Sequence, residues 1–183
     1  MASLPQHKKV ILVGHSYGGV IISLAMESFP TRVLATLYLT AFIPNHYSPI
    51  ATGVAEYFKR VMEEPIMDFQ LLFKDGSKIH QLMPCLDQNS WRQRFINSHQ
   101  KRKWFMKDLS KESLLTEENF ESVNHVYIVC KDDLLIKESL QEWYIENSPA
   151  ADVKFIDRAD HMPMFSKPQD LCKCLQQVAD KYN

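Results

Sequence analysis

The sequence predicts an α/β fold, a parallel sheet covered by helices, and three observations carry that prediction. An apolar, strand-forming run, Val10-Ile11-Leu12-Val13, enters a knot of small residues around Ser16 and leaves it as a helix-forming segment. A second apolar run, from Val33 to Thr40, suits a strand buried on both faces. Two further strand-like runs, His125 to Cys130 and Ala151 to Ile156, alternate with helical segments, which implies parallel pairing through right-handed crossovers.

Taken in order, the first element ends in Gly14-His15-Ser16-Tyr17-Gly18, a G-x-S-x-G pattern. Its glycines let the backbone double back tightly enough to present the serine oxygen at the tip of a strained turn. Such a pattern also arises by chance or from tight packing; the strand before it and the helix after it select the nucleophile-bearing turn. The spacing predicts a helix from Gly18 to Phe29, stopped by Pro30, with Val20, Ile21, Leu24 and Ala25 facing the sheet. After the second strand, Ala41 to His46 opens a long middle section reaching to about Ser122. It contains helical pieces such as Ala55 to Met62 and no strand as clear as the first two. Within it, Lys74 to Lys103 is polar and basic, with no sustained period. Trp91 and Phe95 would suit base stacking, but a short charge excess on a neutral chain reads better as a solvated flap. Ile136 to Glu146 is expected to be helical. A closing helix, from about Lys167 to Tyr182, places Leu171, Leu175, Val178 and Tyr182 on one face.

Composition bounds the partners. With 183 residues, 45% of them hydrophobic, one domain can bury a sizeable core. Lysine and arginine (21) nearly balance aspartate and glutamate (22), so a general attraction to nucleic acid or anionic lipid is excluded. No apolar run approaches the roughly 20 residues of a membrane span. Met1 to Lys9 lacks the ordered regions of a secretory signal, so a cytoplasmic location is the expectation. The expected partner is a small molecule, with no nucleic acid and no membrane, and a homodimer is kept as a further candidate. Cys85, Cys130, Cys172 and Cys174 have no metal-binding spacing and are expected to be buried free thiols, so no metal or other cofactor is expected.

In a parallel sheet, reactive groups collect at the carboxyl ends of the strands. Ser16, Asp132 or Asp133, and His161 each follow a strand on that side. A serine hydroxyl needs a base to remove its proton, and a histidine serving as that base needs a carboxylate to set its tautomer and stabilise the imidazolium. Each residue also has a plainer explanation, since an aspartate after a strand often caps the next turn and a loop histidine is usually just exposed. The order serine, acid, histidine is nevertheless that of α/β-hydrolases. Of the other histidines, His7, His46, His80, His99 and His125 lack comparable context, and His15 is expected to shape the turn rather than act as a base.

Leu4-Pro5, the run from Lys9 to Gly19, Val126 to Cys130, Gln141-Glu142-Trp143, and Ala159-Asp160-His161-Met162 with Ser166-Lys167-Pro168 together resemble the plant methylesterase and hydroxynitrile lyase family of α/β-hydrolases. The resemblance covers residues 1 to about 70 and about 104 to 183. It implies a sheet core formed by 1–43 and 119–183 with a helical cap or lid over 44–118, and it implies Ser16, Asp133 and His161 as a catalytic triad. Asp133 is selected over Asp132 because the family's acid stands a fixed distance before the tryptophan of Gln-x-Trp. The backbone N–H of Tyr17 is implied as an oxyanion donor.

Hydroxynitrile lyases of this family resemble one another in carrying a lysine after the histidine, where its charge can hold departing cyanide. Here that residue is Met162, whose thioether can line an apolar ester pocket. The implied function is therefore hydrolysis of methyl esters of small plant hormones or metabolites, with a hydroxynitrile lyase as one alternative. Another is a noncatalytic relative that binds a small carboxylate or a protein. The family also has strands and a His-Gly oxyanion turn before this first strand, and Met1 to Lys9 matches neither. The expectation is a fold lacking the N-terminal strands, with activity lowered by loss of one oxyanion donor and Val10 to Val13 at an open sheet edge.

Overall fold

A computed structural model describes residues 4–5, 7–63, 71–72, 78–79, 115–148, 150 and 152–182. The first predicted unit forms as β1 (Val10–Ser16) and α1 (Gly18–Ser28), followed by β2 (Val33–Ala41) and α2 (Ala51–Glu63). A two-residue antiparallel pair, β3 (Leu71–Leu72) with β4 (Lys78–Ile79), was not legible in the sequence. Then come α3 (Glu117–Glu121), β5 (Asn124–Cys130), α4 (Glu138–Asn147), β6 (Asp152–Ile156), the single turn α5 (Pro163–Ser166) and α6 (Pro168–Tyr182). Apart from β4, the predicted flap from Lys74 to Lys103, with Trp91, Phe95 and Cys85, lies outside the described residues.

Strands β1, β2, β5 and β6 form one sheet in that order, every pair parallel. Alternation along the strands sorts the side chains into two cores. Leu37, Leu39, Val126, Ile128, Cys130 and Ile156 meet Leu171 and Val178 of α6 on one face. On the other, Tyr38, Tyr127 and Val129 pack with α1, α2 and α4. Tyr38 and Tyr127 are register partners, both fully buried, and each satisfies its hydroxyl. Tyr38 shares a 2.8 Å hydrogen bond with Ser23 of α1. The Tyr127 hydroxyl donates to the Ala41 carbonyl at 2.8 Å and accepts from the Ala41 N–H at 3.1 Å, which pins the end of β2.

Two expectations need correction. The face that α1 turns to the sheet carries Gly19, Val20, Ile22, Ser23 and Met26, and Ile21 is 56% exposed. Gly19 sets this phase: a Cβ there would collide with the Phe42 carbonyl oxygen, so only glycine lets the helix come this close. Ile22, Ser23 and Met26 then follow at helical intervals of three, four and seven from Gly19, with Val20 beside it. Second, of the described cysteines only Cys130 is buried, because Cys172 and Cys174 lie on the outer and flanking sides of a surface helix. Burial, with the nearby Asp133 charge adding to it, pushes the Cys130 thiol up to about 12, so it stays protonated and unreactive. Among the described residues, no helix is long and apolar enough to cross a membrane.

Candidate active site

All three candidates stand at the carboxyl edge of the sheet: Ser16 ends β1, and Asp133 and His161 follow β5 and β6. Backbone strain marks the same edge. The non-glycine residues with left-handed backbones among those described are Ser16 (φ 56°), Thr40 (φ 35°) and Arg158 (φ 55°). Each lies at or just beyond the end of a sheet strand, and such conformations persist only where the surroundings hold them.

The Ser16 turn is built by close approach. A Cβ on Gly14 would come within 2.7 Å of the Gly18 carbonyl group, so the first glycine of the motif is demanded by packing, whereas a Cβ on Gly18 would meet nothing within 4 Å. The Ser16 carbonyl accepts the Phe42 N–H at 3.1 Å, tying the turn to the chain leaving β2. Tyr17 caps α1, with its ring edge against Phe42 at 6.1 Å between centroids.

Asp133 is 2% exposed and accepts four hydrogen bonds. Its Oδ1 takes the N–H groups of Leu135 and Ile136 at 2.7 and 2.9 Å, and its Oδ2 takes His161 Nδ1 at 2.7 Å and the Thr40 hydroxyl at 2.5 Å. One oxygen thus caps the turn that follows β5, and the other receives the His161 ring. Four donors supply the solvation that burial removes from the carboxylate. Asp132 is exposed, with its N–H donating to the Ala159 carbonyl at 2.9 Å.

The acid loop is held from beneath by Gln141 of α4, which is fully buried. Its side chain accepts the Cys130 N–H at 3.0 Å and donates to the carbonyls of Cys130 and Ile136 at 2.9 and 2.7 Å. This one residue braces both ends of the segment that carries Asp133. The histidine loop has its own brace: Asp160 Oδ1 accepts the Met162 N–H at 2.8 Å and the Ser166 hydroxyl at 2.7 Å, starting α5. Met162 is half-buried beside the histidine.

His161 presents 16% of its side chain to solvent. With Nδ1 donating to Asp133, Nε2 is the acceptor nitrogen of the neutral ring, as a general base requires. The serine turn and the histidine loop are joined through His15, whose Nε2 lies 2.6 Å from the His161 carbonyl oxygen and whose ring centroid lies 4.7 Å from that of His161. Burial lowers the pKa of His15 from its ordinary value, so near neutrality its Nε2–H donates to that carbonyl as an uncharged ring. Asp133 and His161 are thus brought into direct contact, and Ser16 is brought beside them through its neighbour. No hydrogen bond joins Ser16 to His161 in the described structure.

Sequence reasoning missed Thr40 and the bracing role of Gln141. Nothing in the run Leu39-Thr40-Ala41 distinguishes that threonine from an ordinary strand residue, whereas Gln141 stood within the Gln-x-Trp signature without a stated role. His125, without context in the sequence, is buried under the sheet end opposite the site. Its Nε2–H donates to the Phe120 carbonyl at 2.8 Å, and its Nδ1 accepts the Thr36 hydroxyl at 2.6 Å.

A model of the alpha/beta hydrolase family matches residues 2–173. The chain is similar to Methylesterase 10 of Arabidopsis thaliana, 38% identical over 195 residues that cover 100% of this chain and 71% of that protein. It is also similar to Methyl jasmonate esterase 1 of Vitis vinifera, 36% identical over 200 residues, covering 100% of this chain and 75% of that one. The crystal structure of polyneuridine aldehyde esterase superposes with a TM-score of 0.74 at 29% identity, over 97% of this chain and 74% of that chain.

Proposed function

The chain belongs to the alpha/beta hydrolase family, and on that premise we propose that it is a serine hydrolase of carboxylic esters, acting on methyl esters of small plant hormones or metabolites. The observation that supports this most is the 2.7 Å bond between the buried Asp133 and His161 Nδ1, on the strand edge where Ser16 sits in a left-handed turn. In this reading His161 Nε2 takes the Ser16 proton as Oγ attacks the ester carbonyl, and Asp133 stabilises the imidazolium that forms. The Tyr17 N–H, at the start of α1, donates to the oxyanion. His161 returns its proton to the departing methoxide, methanol leaves, and water then hydrolyses the acyl-serine by the same proton path.

Met162 contributes to this assignment by what it lacks. Standing directly after the base, it offers polarisable apolar surface and no positive charge, which suits an ester's alcohol or acyl group and gives no hold on cyanide. Methyl ester chemistry is carried to this chain from the names of its relatives, a methylesterase and a methyl jasmonate esterase. The test compares hydrolysis of an aryl acetate and of a methyl ester panel by the native chain and by Ser16→Ala. Turnover that falls by about 10³ or more in the variant is expected. Equal rates in the two proteins, or none in either, would overturn the assignment.

A further inference from the structure

We propose that Thr40 is a positioning residue for the site, its hydroxyl fixing Asp133 Oδ2 for His161. The proposal builds on the reading of Asp133 and His161 as acid and base. Three observations meet at this residue. Thr40 is fully buried, and its hydroxyl donates to Asp133 Oδ2 at 2.5 Å, the same oxygen that receives His161 Nδ1 at 2.7 Å. Its backbone has φ 35°, a conformation in which a β-branched residue is crowded and which costs of order 1–3 kcal/mol. Its neighbour Ala41 is clamped through both N–H and C=O by the buried Tyr127 hydroxyl, which holds the strained strand end in place.

An ordinary β2 ending would leave residue 40 extended, following the alternation that puts Thr36 and Tyr38 on the α1 side of the sheet. The left-handed kink at Thr40 instead accompanies a side chain bonded to the loop after β5, 93 residues on. A buried hydroxyl needs a partner, and many would serve; here the partner is the oxygen that orients the base. The consequence is twofold. Asp133 is held at both oxygens, Oδ1 by two backbone N–H groups and Oδ2 by Thr40, so its carboxylate plane cannot swing away from His161. Sharing Oδ2 between two donors also reduces how strongly that oxygen draws the imidazole proton.

Thr40→Val removes the donor and keeps the branched shape, whereas Thr40→Ser keeps the donor. For aryl ester hydrolysis, Thr40→Val is expected to lower kcat about tenfold with KM unchanged, and to move the acid limb of the kcat/KM profile upward by roughly half a pH unit, since Oδ2 then serves His161 alone. Thr40→Ser is expected to stay within about twofold of the native rate and to keep the native profile. A second arm needs no turnover: the downfield proton resonance of the Asp133–His161 bond, recorded by NMR, should move in Thr40→Val and stay in place in Thr40→Ser. Loss of Ser16-dependent turnover in the native chain would remove the esterase reading and leave this arm as the test of Thr40. The proposal is overturned if Thr40→Val keeps the native resonance and profile, or if Thr40→Ser is as altered as Thr40→Val. Should Thr40→Val fail to fold, Thr40→Ala is measured against Thr40→Ser in the same two ways.

Discussion

His15 decides how the two halves of the site stay together. Ser16 belongs to the first strand and His161 to a loop after the last, and the ring of His15 spans them through the His161 carbonyl at 2.6 Å. Removing it with His15→Ala leaves the Asp133–His161 bond in place but frees the loop relative to the serine turn. A displacement of about 1 Å at reacting atoms costs on the order of 10² in rate. We therefore expect kcat for an aryl ester to fall between about tenfold and 10² while KM changes little, measured by steady-state kinetics. A native kcat in His15→Ala would assign the ring to turn packing alone. At this scale Ser16, Asp133 and His161 stood out as candidates in the sequence because residue types able to serve as nucleophile, acid and base recur at the strand ends. Thr40 was not, since a hydroxyl that points across the sheet leaves no trace in local pattern.

Elements position these residues through a few buried side chains that close backbone gaps. Gln141 stands on α4, yet its three hydrogen bonds fasten the end of β5 to the start of that helix, with Asp133 suspended between. Gln141→Leu preserves bulk and strips those partners, leaving backbone groups buried without bonds at roughly 1–3 kcal/mol for each that finds no replacement. The expected outcome is a stability loss of about 3 kcal/mol in urea unfolding, together with a lower kcat as the acid loop loosens. Unchanged unfolding would show that water or nearby groups take over the bonds. The order of the four sheet strands and the longer helices between them was legible because the apolar runs are short and punctuated. The phase of α1 was not, for it depends on Gly19 meeting the Phe42 carbonyl, a tertiary contact that hydrophobic periodicity does not encode.

The molecule as a whole carries an acid sensitivity set at the end of the sheet opposite the candidate site. His125, bonded on both ring nitrogens and 5% exposed, is held down to about 4 chiefly by burial. The unfolded chain takes up that proton near the ordinary value of 6.5, so it binds more protons than the folded chain between the two values. Stability from this residue is whole above 6.5, falls as pH drops through that window, and is gone below about 4, a change of ~3 kcal/mol. Burial lowers the pKa of His15 too, so it acts in the same direction. Urea unfolding at pH 7 and pH 4.5 should show this loss in the native chain and a smaller one in His125→Gln; equal losses would contradict it. Among the described residues the sheet runs in chain order from β1 to β6, and this simple order is why fold class was legible from strand and helix alternation alone.

The central claim is that Ser16 is a nucleophile activated by His161. Its most direct measurement is intact-mass and peptide mapping after exposure to an aryl fluorophosphonate, which reports the covalent step without any choice of acyl group. The account predicts a single adduct on Ser16, absent in Ser16→Ala and formed more slowly by about 10² or more in His161→Ala. An unlabelled native chain, or an adduct that persists in Ser16→Ala, would contradict it.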